Sequence, residues 1–175
     1  MSDGDRRHGG RGRTDGIELY VLRHAHAGDP AAWHGPDDAR PLSARGENQV
    51  ARVAAFLRRT GVRPELILTS PKQRAAQTAA PVAVLLGVPL TIEPRLGVPF
   101  GLTDLERILS AAGDPASAMI VGHDPDFSGL VEDLTGAGSL PMAKGGIARI
   151  DCIRPLAAGA GVLRWLVPPD LLKDA

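Results

Sequence analysis

A single cysteine, Cys152, is all the thiol chemistry in 175 residues. That excludes an intrachain disulfide and a thiolate metal cluster, and it fits a reducing compartment. Neither sign of charge is in excess: 20 Lys+Arg stand against 20 Asp+Glu. Net charge therefore gives no reason to expect nucleic acid or an anionic membrane as partner. No apolar run is long enough to span a bilayer. The opening MSDGDRRHGGRGRTDG also lacks the apolar core of a secretory signal. These absences imply a cytoplasmic protein. One domain is the simplest organisation for this length, and it is large enough to bury a core.

Residues 1–16 are poor in apolar side chains and rich in Gly and Arg, with four Arg against three Asp. They predict a disordered tail of slight basic character ahead of a domain over 17–175. From there short apolar runs alternate with helical patterns. IELYVL, ELILTS, LTIE and SAMIVGH read as strands. SARGENQVARVAAFLRRTG reads as a helix capped by Ser43 and ended by Gly61, with Val50, Val53, Ala54 and Leu57 near one face. PKQRAAQTAAPVAVLLG predicts a helix opening at Pro71, with Ser70 as its cap and Pro81 kinking or shortening it. TDLERILSAAG predicts a short helix capped by Thr103, and DPDFSGLVEDLTG one capped by Asp124 with Pro125 first inside. GGIARIDCI and VLRWLV close the chain as two strands joined by a Gly/Ala turn, with Cys152 buried in the first. Connections are mostly short. The alternation argues a three-layer α/β/α sandwich around a largely parallel sheet.

Three of these strands end in cationic or titratable residues. Arg23-His24 follows IELYVL, Pro71-Lys72-Gln73-Arg74 follows ELILTS, and His123-Asp124-Pro125 follows SAMIVG. In an open parallel sheet the carboxyl ends of the strands share one edge, where ligands bind. Two of the segments run straight into helix N-termini, which favour an anion. Two Arg, two His and two helix ends at one place suit a phosphoryl group. Neighbouring guanidinium groups push an imidazole pKa down. His24, between Arg23 and Arg74, is thus predicted to stay neutral and nucleophilic, with His123 donating to the phosphoryl oxygens. His26 forms His-x-His with His24, but no further ligand follows at metal spacing, so no metal is expected. Gln77 and Thr78 suit packing and hydrogen bonding. Lys144 either approaches the phosphate or lies on the loop surface.

The segments LRHAHA, TSPKQRAAQTA and VGHDPDFSGL resemble, in this order, the three signatures of the histidine phosphatase (phosphoglycerate mutase-like) superfamily. DDARPLSARGENQ resembles its small phosphohistidine phosphatases of the SixA type. The resemblance runs from about Glu18 to Gly146. It implies a phosphoglycerate mutase-like fold, a phosphohistidine intermediate on His24, a phosphate pocket of Arg23, Arg74 and His123, and neither metal nor other cofactor. Ala25 stands where the family's first signature usually has Gly.

Mutases and many larger phosphatases of this superfamily carry a glutamate shortly after an Arg-Leu pair, which protonates the leaving oxygen. Here the stretch is EPRLGVPFG, and Gly97-Val98 offer no acid; Glu93 precedes the pair. An alkoxide leaving group needs that proton badly, whereas phosphohistidine departs as neutral imidazole. The resemblance thus implies a phosphohistidine-bearing protein as substrate, such as a phosphotransfer domain, with inorganic phosphate as product. A phosphatase of small phosphate esters and a non-catalytic phosphate-binding module remain open. Asp29, Asp37 and Asp38 are the candidates for any general acid, with no choice among them.

Overall fold

The computed structural model describes residues 16–172. The tail expected over 1–16 lies outside the described residues apart from Gly16, which opens the first strand. The strands are β1 (Gly16–Arg23), β2 (Leu66–Thr69), β3 (Leu90–Ile92), β4 (Ser117–Gly122), β5 (Ile147–Ile153) and β6 (Val162–Val167). The helices are α1 (Ala44–Arg59), α2 (Gln73–Leu86), α3 (Leu102–Ala111) and α4 (Asp126–Thr135). They form one six-stranded sheet in the order β3-β2-β4-β1-β5-β6. The first four strands in that order run parallel. β5 and β6, joined by the Gly/Ala turn, add antiparallel to the edge of β1. No helix of the described residues is long and apolar enough to cross a membrane.

Apart from exposed Glu18, IELYVL is mainly apolar because both faces of β1 are covered. Ile17, Leu19 and Val21 pack with Leu105, Ile108 and Leu109 of α3 and Phe127, Leu130 and Leu134 of α4. Tyr20 and Leu22, one residue out of phase, pack with Val50, Val53, Ala54 and Leu57 of α1 and Ala75, Ala79 and Val82 of α2. β4 alternates in the same way, with Ala118 and Ile120 on one side and Met119 and Val121 on the other. This is the expected α/β/α sandwich.

Helix starts depart from expectation in three places. Ser43 does cap α1, its Oγ accepting from the Gly46 N–H. α2, however, begins at Gln73 with Lys72 at the cap position, so Pro71 and Ser70 lie ahead of it. Ser70 is instead drawn inward by β4, its N–H donating to Val121 O at 2.9 Å. α3 starts at Leu102, its cap Gly101 lying two residues before Thr103, with Asp104 accepting from the Gly101 N–H. Pro125 occupies the cap of α4, and Asp124 accepts from Ser128 N–H and hydroxyl one turn along. α2 runs through Pro81 to Leu86 because Val82 and Ala83 are packed beyond it, and Gly87 closes it in the left-handed region.

Candidate active site

Register brings the three strand ends level. Arg23 pairs with Gly122 and Thr69 with Val121, so His24, Ser70 and His123 leave the sheet side by side. His24 is 6% exposed, and its Nδ1 lies 2.7 Å from the carbonyl oxygen of Ala25. A carbonyl only accepts, so Nδ1 carries the proton and the lone pair is on Nε2. Burial lowers the His24 pKa to about 4, assisted by the charges of Arg74, Arg23 and Lys144 and opposed by the Ala25 carbonyl. The His123 ring is centred 5.1 Å from that of His24. Its pKa falls to about 3, through burial first and then the charges of His24, Arg74 and Lys72. Both imidazoles are neutral at pH 7.

The two arginines are held from behind. Arg74, on the first turn of α2, donates from Nη1 to Asp37 O at 2.8 Å and from Nη2 to Asp37 Oδ2 at 2.9 Å. Arg23 donates from Nη1 to Met142 O and pairs with Asp124 Oδ2 at 2.9 Å. Nε of Arg23, Nε of Arg74 and Nδ1 of His123 are buried without a partner. Each such group costs about 1–3 kcal/mol when left unsatisfied. Three of them, from three adjoining strand ends, form a site suited to an oxyanion.

The sequence model of the histidine phosphatase superfamily (branch 1) matches residues 19–97. Phosphohistidine phosphatase SixA of Escherichia coli is 30% identical over 164 residues, which cover 91% of this chain and 98% of that protein. The chain belongs to the histidine phosphatase superfamily. An uncharacterised protein of Picosynechococcus is 40% identical over 121 residues, 66% of this chain and 72% of that protein. The structure of the protein histidine phosphatase SixA complexed with tungstate aligns with a TM-score of 0.76 at 27% identity, covering 90% of this chain and 100% of that one. Membership supports a phosphatase activity.

In this histidine phosphatase the carboxylates weighed as proton donors are otherwise engaged. Asp37 bridges Arg74 and Arg40, whose Nε donates to Oδ1 at 2.9 Å. The hydrogen bond from Arg40 leads in holding its carboxyl below the usual range, so Asp37 suits anchoring Arg74 rather than donating a proton. Asp29 caps a 3₁₀ turn by accepting from Ala31 N–H, and exposed Asp38 lies 3.3 Å from Lys72. Asp126, half-buried on the first turn of α4, is a carboxyl whose pKa is raised, by burial and then by Asp124. It was not among the acids that the sequence singled out. Asp37→Ala is expected to raise KM about tenfold while changing kcat less, because Arg74 loses one arm of its anchor. Steady-state kinetics of the variant check this.

Backbone clamps fix the nucleophile's loop. Thr78 Oγ1 accepts from Ala25 N–H at 3.1 Å and donates to Arg74 O, coupling both site segments. Gly145, at φ +77°, donates its N–H to His24 O at 3.0 Å. Burial lowers the pKa of both His24 and His26, and half-buried Lys144 beside Gly145 adds to it. Buried Gln49 accepts from His26 N–H at 2.9 Å, a contact that nothing in the local sequence signals. His26 Nδ1 lies 2.7 Å from Ser43 Oγ, so the second histidine ties the loop to the start of α1. Among the described residues no group of three or more His, Cys, Asp or Glu is placed to hold a metal ion. The connection over residues 24–43, with the bounds expected from IELYVL and Ser43, places Asp37 on Arg74.

Proposed function

We propose that this histidine phosphatase removes phosphate from phosphohistidine in proteins, through a covalent intermediate on His24. The observation that carries the proposal is the neutral His24, with Nδ1–H tied to Ala25 O and a free Nε2, beside three buried unpartnered nitrogens on Arg23, Arg74 and His123. The Nε2 lone pair forms a bond to phosphorus as the substrate's P–N bond breaks, and the protonated leaving group departs as neutral imidazole. Arg23, Arg74 and His123 neutralise the equatorial oxygens, with Lys144 adding positive potential. Water then attacks phosphorus, the P–Nε2 bond breaks, and inorganic phosphate and neutral His24 are regenerated.

Substrate class follows from the leaving group. The segment that carries an acid in the mutases forms a 3₁₀ turn over Pro94–Gly97 here. Its one carboxylate, Glu93, is paired with Arg95 at 2.7 Å, and hydrogen bonds from Arg95 lead in lowering its pKa. A site without a poised acid there favours a phosphoramidate over an alkyl phosphate. The similarity to SixA, named as a phosphohistidine phosphatase, supports the same choice.

Without added metal, kcat/KM for a phosphohistidine-bearing protein is expected to exceed that for an aryl phosphate by about 100-fold or more. Equal or better use of the aryl phosphate favours a small-ester phosphatase. Phosphate binding with turnover of neither substrate makes the protein a binding module.

A further inference from the structure

Ser70 was expected to cap α2, yet it sits ahead of the helix and is fully buried. Its Oγ lies 2.7 Å from His123 Nε2 and accepts from Lys72 N–H at 3.2 Å. The backbone of Gly97 packs against the same place, since a Cβ there would lie 3.4 Å from Oγ and 3.0 Å from Pro71. The hydroxyl therefore has one donor arriving, and its own hydrogen must find an acceptor in a dry pocket. Nε2 is that acceptor. If Nε2 carried the proton instead, Oγ would receive two donors and its hydrogen would be buried without a partner.

We infer that Ser70 is a positioning residue that fixes the tautomer of His123, donating to Nε2 so that the single ring proton sits on Nδ1. Nδ1 is the buried His123 atom that has no protein partner. The consequence is one of sign. A neutral imidazole has one donor and one acceptor nitrogen. With Nδ1–H, His123 presents a donor to the phosphoryl oxygens. With Nε2–H it would present a lone pair and repel them. Ser70 thereby lets His123 stabilise growing negative charge without being charged itself, which matters beside a nucleophile that must stay neutral. The two histidines then share one form by different means, a backbone carbonyl for His24 and a hydroxyl for His123. This inference rests on the proposed role of His123 as a phosphoryl donor.

The test is long-range proton–nitrogen NMR of the full chain labelled in its imidazole nitrogens, at pH 7, where His123 is neutral. In the wild type His123 is expected as the Nδ1–H tautomer. In Ser70→Ala it is expected to lose that form in favour of Nε2–H, while His24 keeps Nδ1–H in both. kcat should fall about tenfold or more in Ser70→Ala, with far-UV circular dichroism unchanged. Ser70→Cys, close in volume but a weak donor, should behave like the alanine variant. His123 as Nε2–H in the wild type overturns the inference without any variant having to fold. An unchanged Nδ1–H signal in Ser70→Ala overturns it as well. Binding of inorganic phosphate by the wild type, followed by the shifts of the same nitrogens, is read separately. Its absence counts against the phosphate site itself, whatever the tautomer.

Discussion

His24→Ala is expected to abolish turnover of phosphohistidine, with a fall in kcat of about 10⁴-fold or more and little change in phosphate binding. The size of the effect follows from covalent catalysis. Arg23, Arg74, His123 and Lys144 can still hold the phosphoryl group, but His123, the other neutral imidazole beside it, has its Nε2 engaged by Ser70 Oγ and does not replace His24 as nucleophile. Rapid-mixing kinetics on both proteins measure the loss. A variant retaining a tenth of the activity is incompatible with His24 as nucleophile. The pH profile of the wild type carries the same signature. Only the neutral imidazole has the Nε2 lone pair, and the pKa of His24 is lowered to about 4. The acid limb of kcat/KM should therefore fall near pH 4 and not near the ordinary histidine value of about 6.5. Stability obeys the same sign. The unfolded chain takes up a proton at His24 near pH 6.5 and the folded chain only near pH 4. Stability present above pH 6.5 is lost as pH falls across that window, by about 3 kcal/mol from this residue.

Gly46→Ala is expected to cost about 3 kcal/mol or more of stability and to lower turnover together with it. A Cβ on Gly46 would stand 2.0 Å from His26 O and 3.0 Å from His26 C. Both atoms are backbone and cannot rotate aside. The same carbonyl accepts from Ser43 N–H at 3.0 Å and from the Ser43 hydroxyl at 3.2 Å. The first turn of α1 is thus seated on the loop that follows the nucleophile, and a methyl group must push the two apart. Denaturant unfolding beside steady-state kinetics checks this; a change within about 0.5 kcal/mol contradicts the packing described.

The sandwich was legible because its determinants are local. Apolar runs covered on both faces, Ser43 ahead of α1 and the Gly/Ala turn before β6 each carry their signal within a few residues. The gathering of Arg23, His24, Arg74 and His123 was also legible, since parallel strands bring their carboxyl ends to one edge. What escaped were contacts between distant segments. Asp37 reads as a possible acid until Arg74, 37 positions away, is seen to hold its carboxylate. Ser70 reads as a helix cap until the register of β2 and β4 sets it against His123, 53 positions away. Gln49 and Gly46 look like ordinary helix residues, and only the docking of α1 on the His26 backbone gives them a role. Thr103 and Asp124 were plausible caps, but packing of α3 and α4 against the sheet set where those helices begin.

The central claim is the covalent step, and the most direct measurement traps it. The protein is mixed with a phosphohistidine-bearing substrate, quenched in alkali within the first turnover, digested and sequenced by mass spectrometry. Phosphate on His24 in the wild type, and none on the enzyme in His24→Ala, is the predicted result. Turnover at full rate with His24 unlabelled, or with the label on another residue, would contradict the account.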